Sequence, residues 1–170
     1  MSVLSSPSLA SLQIVDVDPQ GGEAMALLRE AAAEAAALYP EWHDPQAAAP
    51  GNAPTPPRGA YLVARVDGRA VACGALRPLE GDVAGGPATA EVRRMFVTAT
   101  ARRRGLASAM LQALEARAVA LGHAVLRLET GFRQQPAIAL YEARGYLRIA
   151  PFGPYVGDPT SVCFEKVLPR

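Results

Sequence analysis

Apolar positions along this chain change period several times, and each change predicts an element. Leu12 to Val17 alternates apolar and polar side chains, the pattern of a half-buried strand, and Asp18-Pro19 stops it. Glu23 to Leu38 is Ala-rich with Met25, Leu27, Leu28 and Leu38 apolar; it reads as helical and is counted here as two helices. Residues 44–59 hold five prolines and two glycines, which excludes regular structure. A stretch that long inside a compact domain is either disordered or functional. Tyr61–Val66 and Ala70–Leu76 are short β-rich runs around Asp67-Gly68, the strongest local hairpin signal.

A Gly-rich connection over 81–88 leads to a further strand, Glu91–Val97. From Arg102 to Leu121 the apolar residues Leu106, Met110, Leu114, Ala118 and Leu121 recur at helical spacing, and Gly122 suits the position after a helix end. Ala124–Thr130 reads as a strand. Pro136 suits the first turn of the next helix and Gly145 its end. Tyr146–Ile149 and Ser161–Val167 close the chain as a pair of strands across a Pro-rich loop. The order is βααβββαβαββ. A strand–helix–strand unit around 102–121 implies a parallel crossover, whereas the hairpins are antiparallel. The class is therefore α/β, with a mixed, mostly antiparallel sheet flanked by helices on both faces. Residues 1–11 read as a flexible tail and 12–170 as one domain.

Composition narrows the function classes. Half of the 170 residues are apolar, enough for a sizeable core, and the net charge is +1, which argues against a general nucleic-acid binder. Cys73 and Cys163 sit in apolar strand-like runs and read as buried, reduced thiols. Met1 to Ala10 lacks the basic and apolar regions of a signal peptide, and no apolar run reaches membrane-spanning length. The expectation is a cytoplasmic protein that meets neither nucleic acid nor membrane.

One segment carries chemistry. Arg102-Arg103-Arg104-Gly105-Leu106-Ala107 joins the strand at 91–97 to the long helix. The first four N–H groups of a helix lack partners and its dipole is positive there, so such a terminus binds anions. Gly105 and Ala107 leave little side chain between backbone and ligand. This run resembles the acetyl-CoA-binding motif of the GNAT family of N-acetyltransferases, Arg/Gln-x-x-Gly-x-Gly/Ala, filled here by Arg102, Gly105 and Ala107. A second block, Gln134-Gln135-Pro136-Ala137-Ile138-Ala139-Leu140-Tyr141-Glu142-Ala143-Arg144-Gly145-Tyr146, resembles the family's Asn-x-x-Ala-x-x-Leu-Tyr-x-x-x-Gly-Phe. Two blocks in this order, with a strand pattern between them, are a strong signal. The resemblance covers residues 60–168 firmly and 12–42 more thinly.

The resemblance implies acetyl-CoA as co-substrate, no metal, and a V-shaped opening between the strands at 91–97 and 124–130. It places Met95, Phe96 and Val97 along the cofactor, the Met95 N–H at the oxyanion and the Val97 backbone beside the pantetheine arm. Arg102, Arg103, Arg104, Gly105, Leu106 and Ala107 would hold the pyrophosphate. Gln134 and Ala137 of the second block join this set, with Gln134 where the family usually has Asn. Tyr141 occupies the place of the family's tyrosine acid, where a phenol can protonate the departing thiolate. Glu91 stands at the spacing of a general-base glutamate; in an unbroken strand it would share a face with Arg93, Met95 and Val97. Glu129 is the alternative base, or the holder of the substrate's ammonium. His123, after the helix-ending Gly122, reads as a surface residue. Trp42 and Tyr155, among the aromatics of 39–44 and 152–155, are candidates for the acceptor pocket. The acceptor is a primary amine of a small molecule, amino acid or peptide. A protein lysine or N-terminal acetyltransferase and a non-catalytic acyl-CoA sensor are the alternatives. A homodimer is a habit of the family.

Overall fold

The computed structural model describes residues 11–79 and 86–170. The tail expected over 1–11 lies outside the described residues apart from Ser11, as does the part of the Gly-rich connection at 81–85. The chain opens with strand β1 (Leu12–Asp16) and helix α1 (Gly22–Leu38), followed by a short 3-10 turn, Pro40–Trp42. One unbroken helix thus stands over 23–38, where two were counted. Nothing in the Ala-rich run interrupts it, and Pro40 stops it by withholding the N–H that another helical bond needs.

Strands β2 (Ala60–Val66), β3 (Arg69–Leu79) and β4 (Thr89–Val97) come next. Asp67 and Gly68 both adopt positive φ, 51° and 77°, as a two-residue hairpin turn requires. Helix α2 (Leu106–Ala120), strand β5 (Val125–Gly131), helix α3 (Gln135–Ala143) and strands β6 (Leu147–Ile149) and β7 (Ser161–Val167) complete the order. All seven strands form one sheet, β1-β2-β3-β4-β5-β7-β6. Among the described residues only β4 and β5 are parallel neighbours, and the other pairs are antiparallel.

Two apolar layers cover the sheet. On one face Met110, Leu111, Leu114 and Ala118 of α2, with Ile138 and Tyr141 of α3, pack on Leu62, Leu76, Val92, Leu126, Leu128 and Phe164. On the other, Ala24 and Leu27 of α1 pack on Tyr61, Val63 and Cys73. Cys73 and Cys163 are buried and unbridged, as expected. Among the described residues no helix is long and apolar enough to cross a membrane.

Two local departures from regular structure shape the centre of the sheet. The β4–β5 ladder runs only from Thr89↔Val125 to Val92↔Leu128. Beyond it β4 stays paired with β3 as far as Val97, and β5 stays paired with β7 as far as Gly131. The two strands are therefore held from outside and left unpaired from each other, which makes the fork. The second departure is a bulge. Register jumps from Ala75↔Arg93 to Cys73↔Phe96, and Arg94 takes φ 58°. The extra residue reverses the alternation of β4. Ala90 and Val92 pack with the α2 layer before the bulge, Met95 and Val97 after it, and Phe96 joins the α1 layer. Glu91 and Arg93 thus do not share a face with Met95 and Val97, as an unbroken strand would have had them do.

Candidate active site

The fork opens toward the N-terminus of α2, which begins at Leu106 rather than at Arg102. The three arginines precede the helix in a loop entered from a 3-10 turn, Ala99–Ala101. Arg103 has φ 64° and Gly105, the residue before the helix, φ 75°. In this conformation the amides of 102–108 donate no backbone hydrogen bond to a described residue; the ladder starts with Ala109 N–H to the Gly105 carbonyl, 3.0 Å. No side chain caps the helix either. A Cβ built on Gly105 meets nothing within 4 Å, so the space beside this residue, just before the helix, is open. A row of unspent donors at a positive helix end, with room before it, fits the pyrophosphate of a CoA ester.

The arginines divide their tasks. Arg103 and Arg104 are exposed and form no ion pair with a described residue. Arg102 turns away: it clasps both oxygens of Glu34 on α1 at 2.6 and 2.7 Å and donates to the Val97 carbonyl at 3.1 Å. It ties α1 to the end of β4 and leaves its neighbours to face a ligand. A further arginine that sequence spacing did not suggest, Arg144 after α3, hydrogen-bonds the Ser108 hydroxyl in the first turn of α2.

Between α1 and the far half of β4 lies a groove of about 290 Å³. Ala31, Ala32 and Ala35 form its α1 side, Met95 and Phe96 its floor, and Gln134 its end at the start of α3. The Ala-rich composition of α1 has its consequence here, since larger side chains would fill the space. The groove unites three residues expected along the cofactor, Met95, Phe96 and Gln134.

At the root of the fork, the two glutamates have different surroundings. Glu91 is fully buried. Its Oε1 accepts from Arg77 Nε at 2.9 Å, with Arg93 Nε at 3.7 Å, and its Oε2 accepts from the Tyr155 hydroxyl at 3.0 Å. Glu129 is the first β5 residue past the last β4–β5 pair and is half-buried. It has no hydrogen bond or ion pair among the described residues. Burial, then the charges of Asp158 and Glu91, push its pKa up to about 7, against a smaller opposing effect of Arg93. Tyr141 is buried between Tyr146 and Phe164, ring centroids 5.8 and 5.9 Å away. Its hydroxyl has no partner among the described residues; burial first, then the Glu129 charge, push the phenol well up. Tyr155 is pushed up to about 12, by burial and then by Glu91.

Trp42 lies apart from this group. It stacks edge-on with Tyr39 and Phe132, and the Arg133 guanidinium lies 5.2–5.3 Å from all three ring centres. Arg133 also pairs with Glu41 and donates to the Leu38 carbonyl. This clamp joins the end of α1 to the end of β5 through a close approach: a Cβ on Gly131 would lie 1.9 Å from the Tyr39 hydroxyl, which accepts from Arg133 N–H. Gly131→Ala should therefore displace Tyr39 and lower stability by about 1–3 kcal/mol, as overpacking does. Unchanged urea unfolding would show that the ring can move aside freely. His123, read as a surface residue, is instead buried, its Nε2 2.9 Å from the Arg58 carbonyl. The described residues hold no cluster of metal-ligating side chains.

Comparison with known proteins gives a consistent picture. Residues 24–146 match the family model described as the acetyltransferase (GNAT) family. An "IAA acetyltransferase" of Azospirillum brasilense is 44% identical over 108 residues, 64% of this chain and 67% of that protein. YsnE of Bacillus subtilis, described as an uncharacterized N-acetyltransferase, is 38% identical over 98 residues, 56% of this chain and 61% of that protein. A crystal structure from Klebsiella pneumoniae described as an acyl-CoA N-acyltransferase superposes with a TM-score of 0.73 at 33% identity, covering 92% of this chain and 97% of that one.

Proposed function

The chain belongs to the GNAT acetyltransferase family, and on that premise we propose that it is an N-acetyltransferase. It moves the acetyl group of acetyl-CoA directly to a primary amine of a small molecule, amino acid or peptide. The observation that carries this reading is the fork. A carboxyl with its pKa raised to about 7 and a phenol with no hydrogen-bond partner among the described residues meet at two diverging strands, and the strand β4 leads to a row of unspent amides. An acyl-CoA sensor without turnover would have no use for either group.

Acetyl-CoA brings an activated acyl group, so the chain's own tasks are to deprotonate, to stabilise negative charge and to help the thiolate leave. We assign proton removal to Glu129. A group with pKa about 7 is half in its basic form at neutral pH and can take a proton from an amine. Glu91 has both oxygens engaged by Arg77 and Tyr155, and a base in that state must give up a partner first. It acts instead as a positioning residue, fixing Tyr155 and contributing the charge that helps raise Glu129. The Met95 amide, beside the bulge, is assigned to the developing oxyanion. Tyr141 keeps its proton at working pH and donates it as charge grows on the sulfur. No step passes through a cysteine: Cys73 is buried with its thiol pushed up to about 11 and donating to the Arg94 carbonyl, and burial pushes the Cys163 thiol up as well.

Free-thiol release from acetyl-CoA in the presence of primary amines tests the reading; no release with any amine would leave a binding module. Tyr141→Phe tests the acid. It keeps the ring and its packing, so CoA-induced thermal stabilisation should persist while turnover falls by about a hundredfold. Full turnover at saturating substrate would leave Tyr141 as a packing residue only.

A further inference from the structure

The Pro-rich segment that precedes β2 is neither random nor a bystander. Asn52 pins it: its Nδ2 donates to the Pro19 carbonyl at 2.7 Å, its Oδ1 accepts from Arg94 Nε at 3.0 Å, and the Gly51 carbonyl accepts from Arg94 Nη2 at 3.2 Å. Residues 52–56 thereby roof a cavity of about 300 Å³ over the α1 face of the sheet. Its wall carries Arg77, Arg93 and Arg94.

These three arginines are not equally engaged. Arg77 is spent on Glu91 at 2.9 Å and Arg94 on the roof. Arg93 donates no hydrogen bond to any described residue. Its one ion-pair contact, 3.7 Å from Glu91 Oε1, is to an oxygen that Arg77 already holds. A planar fork of five N–H donors therefore faces the cavity with its bonding capacity unused. Charge agrees with this count. Three guanidinium groups meet two carboxyl groups, the buried Glu91 and the half-buried Glu129, and leave the wall net positive.

Arg93 also lies beside the reaction site. It directly follows the last β4 residue paired with β5, as Glu129 follows the last β5 residue paired with β4, and its charge acts on Glu129. An acceptor whose nitrogen reaches Glu129 thus brings its adjacent atoms to Arg93. Resting on the N-acetyltransferase reading, we infer that the acceptor carries a carboxylate next to its amine, as an α-amino acid does, and that Arg93 is the residue that recognises it. The amine gives a proton to Glu129 and forms the new C–N bond; the C–S bond of the thioester breaks, and the sulfur takes a proton from Tyr141. The carboxylate is unchanged throughout and serves only to orient. A protein lysine side chain has no such group.

The test compares free α-amino acids with their carboxamides, which keep amine and side chain and lose the charge. A charge-assisted hydrogen bond lost to a neutral group changes binding by about tenfold to a hundredfold. For at least one side chain the free acid should exceed its carboxamide by that factor in kcat/KM, mainly through KM. Arg93→Met removes a charge that lowers the Glu129 pKa, so it is compared at a pH above the acidic limb; there it should raise KM for the acid by a similar factor and leave KM for the carboxamide and for acetyl-CoA within about threefold. Arg93→Lys should recover part of the preference, which a merely structural role of Arg93 would not produce. Equal use of acid and carboxamide by the wild type, or acetylation of other amines but of no amino acid, would overturn the inference and leave the N-acetyltransferase reading in place. Absence of acetyl transfer to any amine would remove both.

Discussion

Glu129→Gln should lower kcat at pH 7 by at least about a hundredfold, within the range for loss of a general base. The sign of the pH dependence follows from its raised pKa. Below about 7 the carboxyl is mostly protonated and cannot accept; above it the carboxylate can. Wild-type kcat should therefore rise through about pH 7 and level off. In Glu129→Gln that limb disappears, and activity recovers only as pH nears the amine's own pKa, ~10 for a lysine-like amine. Glu91 gives the opposite signature. Its negative charge contributes to raising Glu129, so Glu91→Gln should move the acidic limb to lower pH without abolishing it. If Glu91→Gln erases the limb and Glu129→Gln keeps it, the base is Glu91 and the two roles exchange.

The second large effect concerns the amide row. A ligand that binds only the folded state at a hundredfold excess over its Kd contributes ~2.7 kcal/mol. At this chain length that is roughly 5–10 °C in Tm. CoA should give such a shift with the wild-type protein, and Gly105→Glu should abolish it. The open space before Gly105 would then hold a carboxylate that repels the phosphates. Because φ at this position is 75°, any residue with a Cβ also strains the backbone, so the quantity to compare is the shift on adding CoA, not the Tm alone. Replacing Arg103 and Arg104 by Ser should reduce the shift at low salt more than at high salt. A full shift in Gly105→Glu would place the phosphates elsewhere.

Much of the fold was legible because local signals and tertiary structure agree. Asp67-Gly68 demanded a hairpin and makes one; the apolar spacing from Leu106 to Ala118 predicted the helix face that packs on the sheet. What was not legible depends on partners distant in sequence. Arg94 adopts positive φ with neither Gly nor Asn to announce it, so the bulge that moves Met95 and Val97 to the α2 side had no local signal. Arg102 matched a ligand-binding motif, yet its guanidinium goes to Glu34, 68 residues away. Glu91 and Glu129 look alike as glutamates in strands. What separates them is that Arg77 and Tyr155, 14 and 64 residues from Glu91, fill its oxygens and leave those of Glu129 open. His123 follows a helix-ending glycine as a surface residue would, but the chain entering β2 returns to bury it under the Arg58 carbonyl. The 44–59 segment could only be read as either disordered or functional. Its fixed course depends on Asn52, whose partners lie on the loop after β1 and in the β4 bulge.

The most direct measurement of the central claim is to follow an acetyl group labelled with carbon-13 at its carbonyl from acetyl-CoA into product, in the presence of the purified protein and a mixture of amino acids, short peptides and other primary amines at pH 8. On the N-acetyltransferase reading the label appears in an amide bond on the amino nitrogen, with one free CoA thiol formed for each amide, and Glu129→Gln and Tyr141→Phe both suppress it. Label that stays in acetyl-CoA, or reaches only water as acetate, would contradict that reading.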